Sequence, residues 1–285
     1  MRSRRGSPGS VERAAGLRWD GPGLLTAIND DVAPALAGLP DDPVELCRVA
    51  QGLVMLPGLA PGFGIAEDRQ QERSIRSASA ILRRLIELEN APIEEPRAAD
   101  RRVVGTCRHF ALLSTAFLRH RSIPARARCG FAGYFVPDKY VDHWITEYHD
   151  GNRWVRVDAE ILSFSFVEHP DDLAPGEFLT GGEAWTFLVE GGADALDFGV
   201  DGVAHAWGIA EVRGNAIRDL ASLNKVETLP WDEWGRMTAS YRGETGAEFD
   251  ALVDVVAEAC ASDDAAVIEA TYRSEDLTAP PELLA

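Results

Sequence analysis

Two stretches decide how this chain reads: GTCRHFALLSTAFLRHRSIPARARCGF, residues 105–131, and DHWITEYHDGNRWVRVDAE, residues 142–160. The first opens as a helix. Gly105 and Thr106 are start signals, with Thr106 in the N-cap position. Phe110, Leu113 and Phe117 then recur at helical spacing through His120. Ser122-Ile123-Pro124 turns the chain, and residues 126–135 alternate as a strand does. Two further β-rich runs, 143–149 and 152–158, flank Asp150-Gly151, a strong short hairpin signal. A helix followed by antiparallel strands that it can cover argues for an α+β fold.

The hairpin brings chemistry together. With a two-residue loop at Asp150-Gly151, His149 faces Asn152, Glu147 faces Trp154 and His143 faces Asp158. Side chains opposed on one sheet face have Cβ atoms about 4.5–5.5 Å apart. An imidazole and a carboxylate at that spacing form a hydrogen bond that fixes the ring's tautomer and orientation. Cys107 falls in the first turn of the helix, where free N–H groups and the helix dipole favour an anion. Such a position lowers a thiol pKa and offers N–H donors to an oxyanion. Cys107, His143 and Asp158 are therefore the candidate catalytic residues.

These stretches resemble the core of bacterial transglutaminase-like proteins, a papain-like Cys-His-Asp fold. The resemblance rests on Gly105-x-Cys107, on Ser122-Ile123-Pro124-Ala125-Arg126, on His143-Trp144-Ile145-Thr146-Glu147 and on Trp154-x-x-x-Asp158. It implies a cysteine nucleophile at Cys107, a histidine base at His143 and an orienting aspartate at Asp158. Asp158-Ala159-Glu160 stands where the family often has Asp-Pro-Thr, and Trp144 follows the histidine where a small residue is usual. Both departures bear on the substrate channel, which makes Trp144 a candidate substrate-binding residue. The resemblance covers roughly residues 100–160.

Working outward, residues 19–100 read mainly as helix, over Gly23–Asn29, Pro43–Val54 and Arg69–Glu89, with a Pro- and Gly-rich loop at Leu56–Gly64. Residues 166–204 read as loop-rich, with one apolar run at Ala184–Val189. Residues 210–223 and 247–260 return to helical spacing. The expected organisation is a flexible basic tail over 1–18, a catalytic domain over 19–204 (helical part 19–100, core 101–165) and a helical C-terminal extension over 205–285. Arg213, Asn215 and Arg218, near a helix start, are either contacts for a substrate carboxylate or carboxamide or a capping and surface-charge pattern. Arg213 and Asn215 are carried forward as substrate-binding candidates.

Composition sets limits. The 285 residues include 46 acidic and 28 basic ones, a net charge of −18, which disfavours nucleic acid and anionic membranes as partners. The N-terminal residues lack the apolar run of a signal peptide, and no stretch is long and apolar enough to span a membrane. The four cysteines, Cys47, Cys107, Cys129 and Cys260, form no C-x-x-C pair, so neither a zinc site nor a disulfide framework is expected, and a cytoplasmic setting fits. No metal or cofactor is implied. Oligomeric state is not readable.

The expected activity is acyl transfer through a thioester on Cys107, from an amide, ester or thioester of a small molecule or peptide. Release by water makes an amidase or peptidase. Release by an amine makes an amide-forming acyltransferase or transamidase. A catalytically silent binding module is the alternative from another class.

Overall fold

The computed structural model describes residues 18–284, so the expected basic tail, apart from Arg18, lies outside the described residues. The chain folds as α+β. In order it forms α1 (Pro43–Leu53), β1 (Val54–Met55), α2 (Ala78–Leu88), β2 (Val103–Val104), α3 (Cys107–His120), β3 (Ala125–Ala132), β4 (Tyr140–His149), β5 (Trp154–Val157), β6 (Phe178–Thr180), α4 (Gly181–Val189), β7 (Phe198–Gly199), α5 (Ile209–Leu223), α6 (Gly235–Tyr241), α7 (Ala247–Ala261) and α8 (Ala265–Tyr272). Short 3-10 turns connect several of them.

The main sheet runs β5-β4-β3-β6, all antiparallel, and β7 adds a short parallel pairing to β4. Two apolar layers enclose it. One joins α1, α2 and α3 to Ala125, Val155 and Val157, with Leu46, Leu82, Leu113 and Phe117 at its centre. The other joins α4, α5 and α7 to Phe131 and Phe198, through Trp185, Ile217, Leu220 and Val256. Where β6 does not reach, α5 covers the free edge of β3 with side chains. Asp219 accepts from the Cys129 N–H at 3.2 Å and Ser222 donates to the Ala127 carbonyl at 2.6 Å; within the stretch that β6 pairs, Asn215 also donates to the Gly130 carbonyl at 3.3 Å. These bonds give partners to strand-edge groups that would otherwise be buried unpaired.

Several expectations change. Gly23–Asn29 is not helical; turns occupy it, and Thr26 accepts from the Gly23 N–H at 2.8 Å. The helix expected over 69–89 breaks in two. A 3-10 turn over Glu67–Ser74 precedes α2, which begins where the Ser77 hydroxyl accepts from the Ala80 N–H at 3.2 Å. The region read as loop-rich contains β6, α4 and β7.

The hairpin differs most. Its ladder pairs His149 with Trp154 and Thr146 with Val157, so the loop has four residues, 150–153. The cause is the Asp150 side chain, whose Oδ1 accepts from the N–H groups of Asn152 at 2.7 Å and Arg153 at 2.9 Å. The aspartate therefore builds an Asx-type turn instead of occupying a two-residue one. Gly151 has φ +103, a conformation open to glycine and strained for other residues. The register thus shifts by two residues, and His143 does not face Asp158 directly. A shift of two leaves every side chain on its own face, and the two residues remain diagonal neighbours.

Candidate active site

Cys107 is the first residue of α3. Thr106 precedes it in extended backbone, and its N–H donates to Nδ1 of His109 at 3.1 Å. His109 is thus a reciprocal cap on the helix start. Burial, with Arg108 beside it, pushes its pKa down to about 3, so the ring is neutral and fit to accept that bond. The thiol rests on a small cluster of Ala111, Ala127, Cys129 and Trp144. Of the four cysteines it alone is partly accessible; Cys47, Cys129 and Cys260 are buried, and none is disulfide-bonded.

His143 lies midway along β4, where β5 no longer pairs and β7 has not yet begun. Its Nε2 meets Oδ2 of Asp158 at 2.8 Å. Both side chains are almost wholly buried. The same Asp158 oxygen accepts from the Tyr134 hydroxyl at 2.5 Å, and Oδ1 accepts from the Glu160 N–H at 3.0 Å. The aspartate is held on three sides, and its bond to Nε2 leaves Nδ1 of the ring outside that contact.

Charge is arranged unevenly here. Burial alone would push the His143 imidazole down. The Asp158 carboxylate and its hydrogen bond outweigh that and hold the imidazole well above its ordinary range. Burial pushes the Cys107 thiol up, His143 pulls it down, and Glu160 and Asp142 add to the rise. The thiol pKa is therefore raised, where the sequence argument expected the helix start to lower it; burial is the largest cause, and His143 is the group that opposes it. Glu160 is a fourth titratable group. Burial, opposed by His143 and assisted by Asp158, lifts it to about 7, and its Oε2 is buried without a protein partner. Its carbonyl accepts from Gln51 Nε2 at 3.0 Å, which fixes the turn after Asp158.

The substrate-binding candidates fall elsewhere. Trp144 is fully buried in the cluster beneath Cys107 and offers a substrate no surface. Asn215 is also fully buried, behind the site, where its Nδ2 donates to Asp142 at 2.6 Å and its Oδ1 accepts from Arg218. Arg213 pairs with Asp250 at 2.5 Å and lies over Trp185 and Phe249; none of its contacts is with Cys107, His143 or Asp158. Sequence reasoning missed Tyr134 and Glu160. Tyr134 lies beyond the end of β3, in the loop before β4, where alternation does not locate it, and the unusual Asp158-Ala159-Glu160 marked the second. Among the described residues, no group of three or more His, Cys, Asp or Glu is arranged to hold a metal, and no helix is long and apolar enough to cross a membrane.

The family model of the transglutaminase-like superfamily matches residues 69–159, about a third of the chain, from the turn before α2 to just past Asp158. Among solved structures, a Cytophaga hutchinsonii protein described as a "Putative Cysteine Protease" is similar, with 21% identity over 51% of this chain and 47% of that one and a TM-score of 0.19. The chain spans about half the length of that protein, and a TM-score so low carries no argument. No curated protein matches the chain.

Proposed function

We propose that the protein is a cysteine-dependent acyl-transfer enzyme acting through Cys107, His143 and Asp158, a reading supported by the match of residues 69–159 to the transglutaminase-like superfamily. The observation that carries the reading is the 2.8 Å bond from Asp158 to Nε2 of His143, which leaves Nδ1 for the thiol at the start of α3.

In this reading the Cys107 thiol gives its proton to His143, and the resulting imidazolium is stabilised by buried Asp158. The thiolate attacks the carbonyl of an amide, ester or thioester. First-turn N–H groups of α3 stabilise the oxyanion. His143 then protonates the leaving amine, alcohol or thiol, and a thioester to Cys107 remains. Water, activated by the now neutral His143, releases the acid and restores the thiol. An amine entering at the same step would give an amide instead. Tyr134 and the Glu160 N–H keep Asp158 from turning away from the ring.

Iodoacetamide labelling across pH, read by peptide mass spectrometry, tests this. Cys107 should be alkylated at pH 7 while Cys47, Cys129 and Cys260 are spared, and His143→Gln should slow its labelling about tenfold or more. Equal rates in the wild type and His143→Gln would remove the nucleophile–base pair on which the reading stands.

A further inference from the structure

A row of aromatic rings leads from His143 to the surface. Phe135 meets the His143 ring edge-on at 5.0 Å between centroids, Phe166 meets Phe135 at 5.3 Å, and Phe164 lies 6.1 Å beyond. The inner end is anchored, since Phe135 packs with Tyr134 and Val167 against buried Ile145, Leu173 and Phe178. The outer end is open: Phe164 is 54% and Phe166 49% exposed. A single exposed phenylalanine is ordinary surface, but two together, continuing ring by ring to the histidine of a candidate active site, form a directed apolar track.

Phe166 and Tyr134 also line a cleft of about 800 Å³, whose other lining residues include Asp138, Lys139 and Glu177. That volume is in the range of small-molecule sites. The rim is acidic on balance. Lys139 is paired with Asp197 at 2.8 Å, Glu177 accepts from the Ala174 N–H, and Asp138 is exposed. Apolar rings beside the histidine and a negative rim favour a neutral or cationic substrate over an anionic one.

We propose that Phe135, Phe164 and Phe166 form a specificity subsite that receives an aromatic or bulky apolar group of an uncharged or cationic acyl substrate, next to the carbonyl attacked by Cys107. This rests on the proposed acyl-transfer reading and adds a substrate class to it. Edge-to-face rings of this kind take a further ring at the same spacing, so an aryl group stacked on Phe166 or Phe164 extends the series. The two outer rings are half-exposed, so removing them leaves the core intact.

The test compares two electrophiles with one warhead on the full chain: chloroacetamide and N-benzyl-2-chloroacetamide. Wild type should alkylate Cys107 about tenfold faster with the benzyl reagent after correction for their intrinsic thiol reactivities, and a 4-carboxybenzyl analogue should lose that advantage. Phe164→Ala/Phe166→Ala should bring the ratio close to one by slowing the benzyl reagent. A wild-type ratio near one, or an undiminished ratio in the double variant, overturns the subsite and leaves the nucleophile standing. Failure of chloroacetamide to label Cys107 at all overturns the acyl-transfer reading, and the subsite with it.

Discussion

Replacing Glu160 with Gln should stabilise the protein at pH 8 and do little at pH 5. The carboxyl has an ordinary value of 4.5 and stands at about 7 in the folded chain, raised first by burial and also by Asp158 against the pull of His143. A carboxyl whose folded pKa lies above its unfolded one binds more protons in the native state between the two values. Stability therefore falls as pH rises from 4.5 to about 7 and stays at the lower level beyond. At about 1.4 kcal/mol per unit, the gap corresponds to about 3 kcal/mol at pH 8 and less than about 1 kcal/mol at pH 5. The residue is only partly buried, and water screens a share of this, leaving an expected pH-dependent gain of about 2 kcal/mol. Gln keeps nearly the same volume without the charge. Whatever its amide costs in lost or mismatched hydrogen bonds is the same at both pH values and cancels in the difference. Urea unfolding of wild type and Glu160→Gln at pH 5 and pH 8 gives that difference directly. If the two gains agree to within about 0.5 kcal/mol, Glu160 is not a desolvated carboxyl beside His143 and Asp158, and the electrostatic account of the site fails.

Two further outcomes follow from the packing around the sheet. Glu147 is buried among Arg126, Arg128 and Arg156, at 2.6, 2.9 and 3.0 Å; burial would raise its carboxyl, and the three guanidiniums hold it well below the usual range instead. Glu147→Ala should cost about 3–5 kcal/mol in urea unfolding, because it leaves buried arginines without their shared anion; a loss under about 1 kcal/mol would mean that Asp219 and Glu183 compensate. Gly130→Ala should be severely destabilising, by about 3 kcal/mol or more, since its Cβ would lie 2.0 Å from the Leu179 carbonyl and 2.7 Å from the Thr180 Cα. Gly52→Ala, in α1 with nothing within 4 Å, is the control and should instead raise the melting temperature slightly.

What could be read in the sequence was local. Helices α1, α3, α5 and α7 declare themselves through apolar spacing, and the Thr106 start of α3 falls where the sequence places it. The helix α4 escaped because it opens on two glycines. Its real signal was the cap, with Thr180 accepting from the Glu183 N–H while the Glu183 carboxylate accepts from Thr180 N–H at 2.9 Å. Other features were not legible because they are not local. Nothing near Asp219, Ser222 or Asn215 in sequence says that those side chains pair with the edge of a strand some 90 residues earlier. For Asp219 and Ser222 the arrangement exists because β6 covers only Gly130–Ala132 and the rest of the edge must be satisfied by something else. Asn215, chosen as a substrate contact, holds Asp142 and the Gly130 carbonyl.

The candidate site was legible for a reason that outlasts the error in its derivation. The hairpin arithmetic assumed two loop residues, and the turn has four, because Asp150 satisfies two backbone N–H groups with one carboxylate oxygen. A slip of one residue would have sent Asp158 to the opposite face and broken the pair. A slip of two changes the partner but not the face, since side chains alternate with a period of two. Diagonal neighbours start about 7–8 Å apart, somewhat less at Cβ, and an imidazole and a carboxylate reaching toward each other close that to a hydrogen bond; here they do so at 2.8 Å.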